Sequence, residues 1–450
     1  MNFVDKLGNL SINKSSINWI KNGILALGIA GAYSIVIVCL RTPFLNKIIT
    51  NNQIFKSALI IHVNLSVLVW LISIIASIWG YKSSYAFDKI YFRLSFVSTL
   101  IIGISPFFGQ NSIINNYIPM LDNAIFILGL SLFGISVLLF AINSLINSLL
   151  LQSSRDNQFI EIGSVTSAIM FVGVWACFIL SYRGLIKSSF LINIELYYEL
   201  IYWSGGHLLQ FLYTQMLMIV WVILTSLVSK KELGAKKIYY TILILNFILS
   251  LLILGGHFNE ISSAEFKQYF TNHMRYMGGI APTLCIIALI CDTRVQYKSA
   301  HPFIKSSIIC SCLLFLSGGL IGLLISGTNV TIPAHYHGSI VGISVAFMGF
   351  AYACIFLRKE SKKWGINYAS IQLYIITIGQ IMHISGLAIA GGYGVLRKTT
   401  NIEMSLNIKL ALGLMGGGGL IAIAGGLMFV IICGRNLSLF GSKKNLSNIS

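Results

Sequence analysis

The stretch "PAHYHGSIVGISVAFMGFAY", from Pro333 to Tyr352, decides the fold: it sets two imidazoles, His335 and His337, at the head of a long apolar run. Each residue of an α-helix advances by about 100°, so side chains two apart leave the helix about 200° from one another. One metal could not easily take both rings. Two cofactors on opposite flanks of the same helix could.

The rest of the chain has the composition of a membrane protein. Its 450 residues are 56% hydrophobic and 10% charged, with a mean hydropathy of +0.82, against about 45–50% apolar and about 25% charged in soluble domains. The formal charge of +18 sits between apolar stretches. It therefore reads as a topology signal, with no nucleic-acid partner implied. A hydrocarbon core of about 30 Å needs about 20 residues per helix, and about twelve stretches meet that requirement. They are 20–40, 56–80, 91–108, 123–152, 162–184, 197–228, 237–256, 274–293, 306–325, 334–356, 368–391 and 408–433. The first begins too late, and lacks the small-residue cleavage site, to read as a signal peptide. Connections are short and no internal repeat or soluble domain is visible, so residues 1–450 read as one membrane-embedded domain, an all-α bundle.

Lys and Arg near span ends accumulate on the cytoplasmic side. The even-numbered connections carry Lys82, Lys89, Arg93, Arg155, Lys230, Lys231, Lys236, Lys237, Arg294, Lys298, Lys305, Arg358, Lys359, Lys362 and Lys363. Both termini are thus expected inside, although Arg41, Lys47, Lys56, Arg397 and Lys398 run against the pattern. With that orientation His62, His207, His257, His273, His335, His337 and His383 share the outer layer, and only His301 falls on the inner side. A lone intramembrane histidine is often just a hydrogen bond between helices. A layer drawn from six spans points instead to metal or heme, because such groups are costly at membrane depth and histidine is the commonest metal ligand. The eight cysteines form neither a CxxC pair nor a CxxCH heme attachment and read as small core residues.

These residues carry a resemblance to subunit I of the heme-copper oxidase superfamily, a twelve-helix membrane bundle with a low-spin heme and a high-spin heme facing a copper. "AHYHGSIVGISVAFMGFAY" resembles the family's tenth helix, in which His335 would bind the high-spin iron and His337 the low-spin iron. The resemblance makes His62, in "IHVNLSVLVW", the other low-spin ligand. "DNAIFILGLSLFGISVLLFAIN", from Asp122, is similar to the fourth helix. "QIMHISGLAIAGGYGVLRKT", from Gln380, resembles the stretch that precedes paired arginines, which implies that Arg397 and Lys398 hold heme propionates and that His383 lies in the cofactor region.

At the second metal the pattern departs from the family. "WSGGHLLQF" puts His207 where a copper ligand stands, but "GGHFNE" offers a single histidine, His257, where the family has an adjacent pair. His273, in "YFTNHMRYMGGIAPT", is outside the usual pattern and would complete a set of three imidazoles. Such a set suits copper, whereas an oxygen ligand from Glu260 would suit non-heme iron. Phe211 and Leu209 replace residues that mitochondrial-type oxidases use, a tyrosine and a glutamate, and the eighth span has no lysine. Tyr276 and Tyr213 are possible substitutes for the missing tyrosine.

The resemblance implies a terminal respiratory oxidase that reduces dioxygen to water at His335, His207 and His257, with nitric oxide reductase as the alternative. Other oxidase subunits would be its partners, and cytochrome c or a quinol its electron donor. The expected location is a bacterial cytoplasmic membrane. A secondary transporter also has about twelve spans, but its site lies at the midplane between structural repeats. The charge pattern gives a direct test: reporter fusions at Lys231 and Lys363 should read cytoplasmic and fusions near Asn115 external, and the reverse at all three would put the histidine layer on the wrong face.

Overall fold

The computed structural model describes residues 14–41, 52–80, 85–150, 158–188, 192–229, 236–292, 301–357, 363–395 and 405–437. Arg397 and Lys398 lie outside the described residues, as do Lys82, Arg155, Lys230, Lys231, Arg294, Lys298, Arg358, Lys359 and Lys362. Among the described residues, twelve helices are long and apolar enough to cross a membrane. They are α1 (Lys14–Leu40), α2 (Gln53–Trp79), α3 (Phe87–Phe108), α4 (Ala124–Leu150), α5 (Gln158–Lys187), α6 (Ile194–Val228), α7 (Lys236–Phe258), α8 (Ala264–Cys291), α9 (Pro302–Leu323), α10 (Thr331–Phe356), α11 (Ile366–Gly392) and α12 (Leu406–Asn436). Every expected span is present, most of them longer by a few residues because polar ends continue the helix into the interface. At 35 residues α6 is the longest, about 50 Å against a core of about 30 Å, so its first turns stand clear of the hydrocarbon.

Most consecutive helices pack side by side, and α12 returns to pack on α1. Burial divides the twelve into two classes. The apolar stretches of α2, α6 and α10 are 67%, 89% and 83% buried, whereas the other nine reach only 33–50%. Three inner helices therefore recur at every fourth position, and α10 touches both α2 and α6. These three carry His62, His207, His335 and His337.

Polar side chains in hydrocarbon must find partners within the protein, and here they tie each inner helix to its neighbours. Asn22 donates to Ser73 and Ser95 at 3.0 Å each and accepts from Thr99 at 3.1 Å, joining α1, α2 and α3. Gln215 donates to Thr166 and accepts from Asn246, both at 2.9 Å, joining α5, α6 and α7. Gln372 accepts from Tyr352 and donates to the Gly425 carbonyl, both at 3.0 Å, joining α10, α11 and α12. Two indoles bridge between the groups: Trp79 of α2 donates to Ser167 of α5 at 2.8 Å, and Trp221 of α6 to Ser311 of α9 at 2.9 Å.

Small residues let two helix pairs approach closely. On α9 and α10, a Cβ added to Gly318 would lie 2.2 Å from the Ser339 nitrogen, and one on Gly342 2.7 Å from that of Phe315. On α11 and α12, a Cβ on Gly386 would lie 2.4 Å from the Ala411 carbonyl oxygen. His301 precedes α9, 17 residues before Gly318, which places it about 25 Å along the helix from the end that touches His335. Gly386→Ala should lower the thermal midpoint through about 1–3 kcal/mol of overpacking. Gly416→Ala, whose new methyl meets nothing within 4 Å, should leave the midpoint within error.

Candidate functional site

Five imidazoles are oriented in the same way, by a backbone carbonyl on Nδ1. His62 meets the Ala30 oxygen of α1 at 3.0 Å, His335 the Gly318 oxygen of α9 at 2.7 Å, and His383 the Met415 oxygen of α12 at 2.8 Å. His337 and His207 use their own helix, through the Pro333 oxygen at 2.8 Å and the Trp203 oxygen at 2.7 Å. A carbonyl can only accept, so each Nδ1 carries the hydrogen and each Nε2 the lone pair. That is how a protein fixes the tautomer and rotation of a metal-binding histidine. The ring of His383 lies 4.7 Å from that of His337, centroid to centroid. Directly after His62 the helix widens into a π turn over Asn64–Val69, a distortion found mostly at functional positions. Ser66 donates to the His62 carbonyl at 2.6 Å.

The other imidazoles gather around phenylalanines. The ring of Phe270 lies 5.8 Å from His207 and 5.7 Å from His257. His273 stacks on Phe211 at 4.8 Å and donates through Nε2 to the Leu249 carbonyl at 2.8 Å. The Nε2 of His257 and the Nδ1 of His273 are enclosed with no hydrogen-bond partner. Among the described residues, no group of three or more His, Cys, Asp or Glu stands close enough to hold a metal ion.

One residue here was not foreseen from the sequence. The connection between α3 and α4 forms a hairpin whose strands, β1 (Ser112–Ile113) and β2 (Met120–Leu121), pair antiparallel. At its tip Asn115 accepts from the backbone N–H of Tyr117 and of Ile118, at 3.0 and 2.9 Å. This turn directs the Tyr117 hydroxyl to 2.9 Å from Nδ1 and 3.0 Å from Nε2 of His207. Enclosure pushes the Tyr117 phenol well above its ordinary pKa, so its O–H remains a donor. Above it, Lys267 pairs with Glu199 at 2.6 Å, and Asn116 donates to the same carboxylate at 3.2 Å.

This bundle has known relatives. A sequence model of the family described as Cytochrome C and Quinol oxidase polypeptide I matches residues 16–424. The chain belongs to that family. It is 44% identical to an uncharacterized protein of Rickettsia prowazekii (strain Madrid E), over 95% of this chain and 97% of that one. It is 28% identical to an uncharacterized protein of Aquifex aeolicus (strain VF5), over 74% of this chain and 83% of the other. A solved heme-copper terminal oxidase dimer shares the fold, with a TM-score of 0.69 at 16% identity, over 95% of this chain and 84% of that chain. The chain is accordingly a multi-pass membrane protein of an oxidoreductase family whose members bind hemes and copper.

The residues fit the two kinds of metal centre unequally. His62, His335 and His337 have the tautomer that presents Nε2 to a heme iron. His207, His257 and His273 form an aromatic-lined cluster, and this geometry does not fit a ready set of three nitrogens for one ion. Glu260 is exposed and accepts from Ser262 at 2.7 Å. Of the two tyrosines considered as substitutes, Tyr276 is exposed and Tyr213 donates to the Val67 carbonyl at 3.3 Å. Tyr117 gave no sequence signal beyond an Asn-rich loop. Its hairpin is anchored beside His62 by Asn64, which donates to the Ile60 and Pro119 carbonyls at 2.9 and 2.8 Å. Asn64→Asp is nearly isosteric but turns an acceptor toward both oxygens, and should cost about 1–3 kcal/mol in thermal unfolding.

Proposed function

We propose that this chain is the catalytic subunit of a terminal respiratory oxidase and reduces dioxygen to water. In this reading His62 and His337 hold a low-spin heme and His335 holds the heme at which the gas reacts. The observation that carries it is that His335 and His337 leave one inner helix two residues apart, each with Nδ1 tied to a carbonyl. When bound, the hemes supply electron transfer and the site that takes the gas.

The chain's own part is placement and exclusion. Carbonyls of α1 and α9 turn His62 and His335 inward, so neither ring has to reorganise when its iron changes charge. The Phe211 and Phe270 rings, both fully buried, keep the neighbourhood of His207 apolar. Water is thereby kept from the reacting region, which strengthens every polar interaction inside it. Arg397 and Lys398 are proposed as partners of the heme propionates, and His383 as a neighbour of the His337 heme. Electrons would come from cytochrome c or a quinol through other oxidase subunits, in a bacterial cytoplasmic membrane with both termini inside. Nitric oxide reduction is less well supported, since Glu260 bonds to Ser262 and is exposed to solvent.

Reduced-minus-oxidised spectra of the purified protein test this reading. The wild type should show two hemes. His62→Ala and His337→Ala should each abolish the low-spin bis-imidazole signal, while His335→Ala should keep it and lose carbon monoxide binding. An unchanged low-spin signal in both of the first two variants would refute the ligand assignment, and a protein without heme would restore the transporter reading.

A further inference from the structure

The π turn that follows His62 decides which way that ring faces. Its hydrogen bonds close five residues apart, as in the bond from the Trp70 N–H to the Leu65 carbonyl, whereas those of an α turn close four apart. The turn therefore takes in one residue more than an α turn. Both ends of this stretch lie against α1: His62 meets the Ala30 oxygen, and a Cβ added to Gly23 would lie 2.8 Å from the Trp70 ring. On α1, Gly23 and Ala30 are seven residues apart, which is two turns along one face of a regular helix. On α2, His62 and Trp70 are eight apart, and in a regular helix they would diverge by about 80°, since each residue advances about 100°. The extra residue of the π turn absorbs that difference. We propose that Tyr213 of α6 is a positioning residue for the low-spin heme: its hydroxyl holds open the π turn that keeps His62 against α1. This inference rests on the heme reading above and adds what fixes the orientation of one of its ligands.

Tyr213 is buried, and its hydroxyl donates to the Val67 carbonyl, in the body of the π turn, at 3.3 Å. A carbonyl oxygen has two lone pairs, so Val67 can accept the phenol as well as a backbone N–H. A side chain that inserts into the ladder draws the carbonyl outward and favours a wider turn. Two further side chains bond around the same turn. Ser66 donates to the His62 carbonyl at 2.6 Å, and Asn64 donates to the Ile60 carbonyl and, in the hairpin, to that of Pro119. Of the three, Tyr213 is the one that comes from another inner helix. Phenylalanine would fill the same space, but only a hydroxyl reaches the carbonyl with a hydrogen, and in hydrocarbon such a donor must be met by protein. Tyr213 lies six residues past His207, so the bond also ties the helix of His207 to that of His62. Were the turn to close into an α turn, everything before it, His62 included, would be carried about 100° around the helix axis. The ring would then leave the Ala30 oxygen that fixes its tautomer.

The test is the electron paramagnetic resonance spectrum of the oxidised, heme-loaded protein, in which the spread of the low-spin g values reads the angle between the two axial imidazole planes. The wild type is recorded first. Absence of a bis-imidazole signal there means that the functional reading has failed, and overturns this inference with it. With that signal present, Tyr213→Phe should keep both hemes but shift the low-spin g values or split them into two populations. Packing alone predicts no shift, because phenylalanine keeps the ring and removes only the hydroxyl. Tyr239→Phe, which removes a comparable phenol bond from α7 to the Ala288 carbonyl at 3.4 Å, should leave the g values where they are. Unmoved g values in Tyr213→Phe would overturn the proposal while leaving the heme ligands as assigned, and so would an equal shift in Tyr239→Phe. Should Tyr213→Phe fail to fold, Ser66→Ala decides, since it loosens the same turn from within α2. Shifted g values there support the turn as the device that aims His62, and unmoved ones overturn it.

Discussion

Hydrocarbon offers no hydrogen bonds, and the architecture of this protein follows from that constraint. A polar side chain placed among lipids must be satisfied by another helix or stay unsatisfied at a cost of several kcal/mol. Asn22, Gln215 and Gln372 are all fully buried, and each links three successive helices. These nodes hold α2, α6 and α10 in the interior, where the neighbouring helices shield them. The interior is in turn where imidazoles can be kept neutral, correctly rotated and dry. Site and fold are thus consequences of one requirement.

The same requirement explains why so many histidines are tied to carbonyls. A neutral imidazole has one hydrogen and one lone pair, and in an apolar interior both matter. Donating Nδ1 to a helix carbonyl satisfies the hydrogen and leaves the other nitrogen to a ligand. In His62, His335 and His383 the carbonyl belongs to a neighbouring helix, so the contact also fixes how the two helices sit against each other. His207 shows a variant, with the hydroxyl of Tyr117 lying against its ring at 2.9 Å from Nδ1 and 3.0 Å from Nε2.

Much of this was legible in the sequence. Hydropathy located the twelve spans because apolar length is what a bilayer selects, and the H-x-H spacing placed two rings on opposite flanks of α10. The recurrence of the inner helices was not legible. It is expressed as burial and as polar nodes built from different residues, asparagine in one and glutamine in the others, so no sequence repeat records it. Nor could depth substitute for distance: His207, His257 and His273 share a layer, yet His207 and His257 pack on Phe270 and His273 on Phe211, and no group of three metal-ligating side chains forms among the described residues. Tyr117 was missed because it reaches His207 across 90 residues from a hairpin with strands of two residues each, too short to leave a periodic pattern.

The carbonyl tethers also impose a schedule on biosynthesis. The partner of His62 lies on α1, which precedes it in the chain, so that ring can be oriented as soon as two helices have met. His335 waits for α9 and α10, and His383 cannot be oriented until α12, the last helix, has entered the membrane. The imidazoles thus become competent in order from the N-terminus to the C-terminus. If hemes bind as proposed, their pocket is finished only after the bundle has closed, which would make cofactor loading a late step of assembly.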